Sequence, residues 1–454
     1  MILNISNILQ EKFIINFLFA LLFFSYIAGN LAININIIFI LIFGLVFYKN
    51  DIFKIKYDFL DKLIIFAFLY ILLNGIYNNY FYRINNFTSD NTILIKSFLY
   101  LRFLLLYFLI NFLIKKDKLN LKVFFTASSI AVIFVSLDIF YQFIFGYDIF
   151  GFEGVTRRLS GPFGDEWIAG SYIYMFGIFS FFIPLFFKID NKILLYSLLS
   201  ILFFLFFFSS ILSGNRTPFF LFLILISCIL LFEKSLRKFF LLFTFITLIV
   251  LSLTYNFHQP TKDHLGSYKI KISSFFLVFS DKNILSEKEL ENYRNENENN
   301  MFYTLKYKGN FYKMNNTYIK EFKTGYLTWK ENKFFGGGIK SFIINCARAD
   351  IPNCVNHPHN YYLEILSELG VFGLTIFILI FLIIVFKTFI KRYFIKSNLK
   401  ESYLIIPFIF LFLAEIFPIR NTGSFFSTFN ATYFFLIMSF LIGLVKKDLI
   451  EKNI

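Results

Sequence analysis

Charge is scarce in this chain. Only 16% of its 454 residues are charged, whereas 57% are hydrophobic. At a mean hydropathy of +0.66 there is more apolar surface than any water-soluble domain can bury, which excludes a soluble protein and points to one embedded in a membrane. Alternating ten-residue strands are also missing, which excludes an outer-membrane barrel and leaves a bundle of helices. No phosphate-cradling glycine loop of the P-loop type occurs, so no nucleotide site is expected. No repeat of fixed period is found. The chain does not open on a basic segment followed by a short apolar run and a small-residue cleavage site, so its first apolar segment is expected to stay as a helix. Histidine is nearly absent, with four in the whole sequence. The placement of two of them in Asn356-His357-Pro358-His359-Asn360 is therefore informative.

What is abundant is apolar sequence in runs of about 17 to 25 residues, the length that crosses roughly 30 Å of hydrocarbon as a helix. Such runs lie near 13–29, 31–48, 59–77, 93–114, 121–146, 167–187, 193–213, 217–232, 239–255, 361–386, 403–417 and 431–446. They predict an all-α, polytopic membrane bundle of about twelve transmembrane helices with one large polar loop, which the resemblance given below makes a periplasmic loop. The net charge of +15 is spread in short clusters between these runs, unlike the single basic face of a nucleic-acid binder. The clusters fall on alternate connections: Lys49, Lys54 and Lys56; Lys115, Lys116, Lys118 and Lys122; Lys188 and Lys192; Lys234, Arg237 and Lys238; Lys387 to Lys400; Lys446 and Lys447. By the positive-inside rule these connections and both termini face the cytoplasm. The expected division is then residues 1–255 as helices one to nine, 256–360 as a loop domain outside, and 361–454 as helices ten to twelve. Within the loop, Asn295 to Asn300 reads as a mobile stretch, Leu327 to Lys330 as a short amphipathic helix, and Gly336 to Gly338 as a turn before an extended Ile339 to Ile344. The 72 phenylalanines carry no functional reading.

Several polar residues stand where the outer connections meet the membrane. Arg157 and Arg158 precede the turn Leu159-Ser160-Gly161-Pro162-Phe163-Gly164, and Arg216 sits in the short connection Ser213-Gly214-Asn215-Arg216-Thr217-Pro218. A guanidinium fork suits a phosphate ester or diphosphate, meeting two oxygens at once without losing its charge. The alternative assignment for such arginines, above all Arg157, is to lipid headgroups. Arg420, beside Asn421, Thr422 and Gly423, is a third outer arginine and ranks lower. His357 and His359 flank Pro358, so in extended chain they point the same way, with a helix starting at about Asn360. A metal pair would need further ligands, and no Cys, Asp or Glu cluster accompanies them. Acid-base work needs one imidazole, held by a neighbour such as Asn360. The alternative is a histidine satisfied by backbone at the helix start. His258 and His264 have no recognisable frame and read as surface residues. Arg102 and Glu415 fall inside apolar runs and are expected to face the bundle interior, in ion pairs or a polar cavity. In an oxidising compartment Cys346 and Cys354 are free to join and clamp the segment before His357, the alternative being two free thiols. Cys228 lies in an apolar run as a packing residue.

These residues resemble the O-antigen ligase and O-antigen polymerase superfamily of bacterial inner-membrane proteins. The likeness is carried by His357-Pro358-His359-Asn360-Tyr361-Tyr362-Leu363 with Glu368-Leu369-Gly370-Val371-Phe372-Gly373, similar to the motif that closes the family's large periplasmic loop. It is carried also by Asn332 to Gly338, by Ser213-Gly214-Asn215-Arg216 and by the arginine box Arg158 to Gly164. Where the family often has Asn-Pro-Asn after that box, this chain has Asp165-Glu166-Trp167. The resemblance implies a metal-independent, inverting glycosyl transfer, without a cofactor, from a polyprenyl diphosphate carrier such as undecaprenyl diphosphate to a sugar hydroxyl, for a ligase that of lipid A core. Membrane lipids surround the bundle and no nucleic acid takes part. Arg158 and Arg216 are expected to hold the diphosphate and His359 to orient or deprotonate the acceptor, with His357, Asn360, Arg157 and Arg420 in support. A polymerase joining carrier-linked repeat units shares the same motifs. A transporter or flippase predicts midplane charges and symmetric halves. In this sequence the polar residues gather at one membrane edge.

Overall fold

The computed structural model describes residues 2–54, 56–80, 91–154, 158–187, 189, 191–257, 284–285, 304–307, 310–313, 317–348, 354–395, 403–418 and 423–451, with Arg216 described by its backbone. Arg157, Arg420, His258, His264 and the stretch 295–300 lie outside the described residues.

The described chain is helical apart from one small sheet. In order it runs α1 (Ile2–Ala28), α2 (Asn30–Tyr48), α3 (Phe59–Tyr80), α4 (Thr92–Tyr100), α5 (Arg102–Lys115), α6 (Leu121–Phe145), α7 (Ala169–Phe176), α8 (Lys192–Leu212), α9 (Arg216–Phe232) and α10 (Lys234–Phe257). A polar insert follows, holding β1 (Ile284–Leu285), β2 (Thr304–Tyr307), β3 (Asn310–Lys313), α11 (Thr317–Glu331) and α12 (Phe342–Arg348). The strands form an antiparallel sheet in the order β1-β3-β2. The chain returns through α13 (Tyr361–Val385), α14 (Ile406–Glu415) and α15 (Thr428–Glu451). Each of the twelve expected apolar runs falls on helix. Among the described residues nine helical segments are long and apolar enough to cross a membrane, and two apolar helices, Thr217–Phe232 and Tyr403–Glu415, are shorter. The helix Lys234–Phe257 takes the remaining run.

Local chemistry sets the helix ends. Asn120 and Asn191 cap α6 and α8, each side-chain oxygen accepting from two backbone amides of the first turn. Gly146 stops α6 in the left-handed region at φ 85°. In the interior α15 is largely apolar and buried on all sides from Asn430 to Val445, the pattern of a helix enclosed by others. Between helices in lipid there is little hydrophobic drive, so contact area and shape decide the packing. The phenylalanines supply that area: Phe124 meets Phe23 at 4.8 Å, Phe179 at 5.5 Å and Phe440 at 4.6 Å between ring centres, tying α6 to α1, to the turn after α7 and to α15.

At the lysine-rich end the bundle is pinned by charge. Buried Asp61 accepts from Tyr107 and from Lys446, and neighbouring Asp58 pairs with Lys387 at 2.5 Å. Burial acts to raise the Asp58 pKa, but hydrogen bonds from Lys387 and the Asp61 amide, with the charge of Lys446, hold it down at about 2. Nearby, Arg392 lies 3.6 Å from Glu233. Arg102 and Glu415 take separate partners in the interior: Arg102 donates to Thr428 at 3.4 Å and lies over Phe103, and Glu415 accepts from Tyr174 at 2.8 Å.

Candidate active site

The last part of the insert is locked to α13 through two glycines. Gly336 and Gly370 adopt φ of 70° and 69°, and at Gly370 helix α13 breaks. The two backbones pass so closely that a Cβ on Gly336 would lie 2.4 Å from the Glu368 carbonyl, and one on Gly370 2.2 Å from the Phe334 oxygen. Backbone bonds stitch the crossing: Gly338 N to Glu368 O at 2.8 Å, Val371 N to Lys333 O at 2.9 Å and Phe372 N to Phe334 O at 3.2 Å. Tyr70 and Asn74 of α3 complete it, donating to Leu369 O and Phe335 O. The glycine turn and the Glu368–Gly373 motif, separate in sequence, are thus one structure.

Below the crossing, two buried carboxylates of α13 gather the surrounding loops. Glu368 accepts from the amides of Lys340 at 2.7 Å and Phe342 at 3.2 Å. Glu364 accepts from Ser424 Oγ at 2.5 Å and Phe425 N at 2.6 Å, and Lys340 Nζ donates to the same Ser424 oxygen at 2.5 Å. This arrangement overturns the extended reading of Ile339 to Ile344. With Lys340 left-handed at φ 62° and the amides of Lys340 and Phe342 turned to Glu368, the chain enters α12 at Phe342 instead. Cys346 and Cys354 are joined as a disulfide, with a Cα–Cα distance of 6.0 Å, directly before the histidines.

His357 and His359 lie side by side, their ring centres 4.1 Å apart. The backbone at His359 is left-handed, φ 51°, so a turn and not an extended strand brings the rings together. A helix starts beside Asn360, as expected, and Asn360 caps it in place of the expected hold on an imidazole: its Oδ1 accepts from Leu363 N at 3.1 Å while its Nδ2 donates to Pro418 O at 2.8 Å. His359 Nε2 stands 3.7 Å from Glu321 Oε1 of α11, longer than a hydrogen bond. Sequence reading did not single out Glu321. What places it is the packing of Gly325, one turn further along α11, where a Cβ would lie 2.6 Å from the Pro358 ring. Burial lowers the pKa of adjacent Lys320, against the pull of the Glu321 carboxylate.

The two arginine segments meet as well. The Arg158 guanidinium lies over the Trp167 ring at 4.9 Å. Between them Gly161 and Gly164 turn the chain at φ 55° and 60°, and Gly161 N donates to Gln142 of α6 at 2.9 Å. Trp167 O accepts from Asn215 Nδ2 at 2.7 Å, and Asn215 Oδ1 accepts from Gly170 N at 3.0 Å. Asn215 immediately precedes Arg216, the first residue of α9.

Residues 415–418, where α14 ends, join this pair to the histidines. Glu415 takes the Tyr174 hydroxyl of α7, Ile416 O the Tyr362 hydroxyl of α13, and Pro418 O the Asn360 amide. Phe417 packs on Phe220 of α9, ring centres 5.9 Å apart. The helix after the Arg158 box, the helix that starts with Arg216 and the helix that starts after His359 therefore share one junction. Among the described residues no three His, Cys, Asp or Glu side chains are grouped to hold a metal ion.

Among the described residues nine apolar segments of membrane-crossing length, with a polar insert fixed to α3 and α13, define an integral membrane protein. Residues 201–378 match the family model described as O-Antigen ligase. That stretch holds the Arg216 turn, the glycine crossing and the histidine pair, so this part of the chain is similar to that family. Among curated proteins nothing matches the chain.

Proposed function

We propose that the protein is an O-antigen ligase-like glycosyltransferase that moves a glycan from a polyprenyl diphosphate, such as undecaprenyl diphosphate, to a sugar hydroxyl of lipid A core. The observation that supports this reading is the convergence on residues 415–418 of the helices that follow the Arg158, Arg216 and His359 segments. In the reaction the acceptor hydroxyl loses its proton to His359, and its oxygen attacks the anomeric carbon from the face opposite the carrier. The bond from that carbon to the diphosphate breaks, and the configuration inverts. Arg158 and Arg216 hold the diphosphate and stabilise the charge that grows on it, as fixed donors do for any developing anion. Glu321 steadies the imidazolium that results. The step calls for no metal ion, because the guanidinium groups supply the countercharge. Arg157 and Arg420 stand as further cations for the same anion.

In this reading the insert 256–360 lies in the periplasm over the sugars, and the lysine-rich connections and both termini lie in the cytoplasm of a bacterial inner membrane. The test is His359→Ala at normal membrane level: transfer is expected to stop and carrier-linked donor to accumulate. Undiminished transfer would remove the acid-base role. Arg158→Lys and Arg216→Lys are expected to fail too, since a point charge does not replace a bidentate fork. A deletion strain identifies the acceptor: unattached polymer marks a ligase, single repeat units on core a polymerase.

A further inference from the structure

Directly after the arginine box this chain has Asp165-Glu166-Trp167. Trp167 is 44% exposed even though it touches both arginine segments. Its ring lies under the Arg158 guanidinium at 4.9 Å, and its backbone oxygen accepts from Asn215, the residue before Arg216. A guanidinium laid against an indole face is attracted by the ring's electrons. Stacking uses the flat face of the group and leaves its N–H edge pointing outward in the plane, the edge that pairs with two phosphate oxygens. A long arginine side chain on the rim of a turn otherwise samples many rotamers, and each must be given up when an anion binds.

We infer that Trp167 is a positioning residue: its ring holds Arg158 in the orientation that receives the carrier diphosphate, and its carbonyl sets the start of the Arg216 helix in the same frame. This rests on the glycosyl-transfer reading above and adds to it a residue that holds one of the two arginines. The two roles separate cleanly. The tie to Asn215 uses backbone and survives any change of side chain, so Trp167→Ala removes the ring contact alone.

The chain has two tryptophans, and this allows a direct readout. In a Trp329→Phe background Trp167 is the sole indole, and the protein in lipid nanodiscs is titrated with undecaprenyl diphosphate. The expected result is a saturable change in emission, abolished by Arg158→Gln. Trp167→Ala is expected to raise the dissociation constant for undecaprenyl diphosphate and the donor KM by about tenfold, the range of a partly exposed cation–π contact, with kcat nearly unchanged. Trp167→Phe, which keeps a smaller ring, is expected to recover most of that loss. Wild-type affinity and KM in Trp167→Ala, with transfer intact, would overturn the positioning role and leave the proposed reaction standing. A wild-type protein that neither binds undecaprenyl diphosphate nor transfers glycan would sink both.

Discussion

Replacing Glu321 with glutamine removes a charge 3.7 Å from His359 Nε2 while keeping the shape of α11. Transfer rate is expected to fall by about tenfold with undecaprenyl diphosphate binding unchanged, the signature of lost support to a general base; steady-state kinetics beside a binding titration checks it. A parallel fall in binding would reassign Glu321 to the fold. At the opposite end, Asp58 gives a pH prediction. Its folded pKa, about 2, lies below the ordinary carboxylate value near 3.9. The stabilisation is therefore complete above about pH 4 and is lost as pH falls through about 2. Asp58→Asn is expected to lower the melting temperature at neutral pH, the gap to wild type closing across that window. A gap that persists at about pH 2 would mean that charge pairing with Lys387 is not its source. The helix start after the histidine pair was legible from the run Asn360-Tyr361-Tyr362-Leu363, but the capping bond of Asn360 was not. Glu321 was not, since its approach depends on how Gly325 seats against Pro358, a contact between distant parts of the chain.

Helices were legible because hydrocarbon thickness dictates their length, but their interruptions were not. The run 361–386 contains Gly370, which in sequence looks like one more small residue in a membrane helix. Only the approach of Phe334 demands its left-handed backbone. Gly336→Ala and Gly370→Ala are expected to cost more than about 2 kcal/mol each, as added strain and a backbone clash together. Gly29, at φ 98° with nothing within 4 Å of its would-be Cβ, is the control. Its alanine variant is expected to melt closer to wild type, and equal losses at all three glycines would discount the crossing. The Ile339 to Ile344 segment misled for a related reason: its β-branched residues favour strand, yet the Glu368 carboxylate claims the amides that a strand would pair. Serine at Cys346 and Cys354 together is expected to cost about 2–3 kcal/mol, the closure entropy of so short a loop, and to speed proteolytic cleavage between α12 and His357. Unchanged cleavage would limit the bridge to a passive role.

Across the whole molecule, the alternation of basic and neutral connections makes a prediction about sidedness. In a Cys228→Ser background, Asn297→Cys is expected to react with a membrane-impermeant maleimide in intact spheroplasts, and Lys116→Cys only after lysis. The reverse pattern would place the insert in the cytoplasm and end the proposed reaction. At this scale the membrane helices were most readable, because apolar length acts on every segment at once. The sequence was least readable where helices converge. Residues 415–418 looked like the end of a short apolar run, and their part in joining α7, α9 and α13 arises only from packing.

The stitching of Lys333–Gly338 onto Ser367–Phe372 has a mechanical outcome. That stretch of the insert is tied by backbone bonds to the membrane bundle, so under the proposed reaction a bulky glycan has to be accommodated elsewhere along the rim. The amide protons of Gly338, Val371 and Phe372 should consequently outlast many catalytic cycles, trading with solvent deuterium only at the tempo of global unfolding.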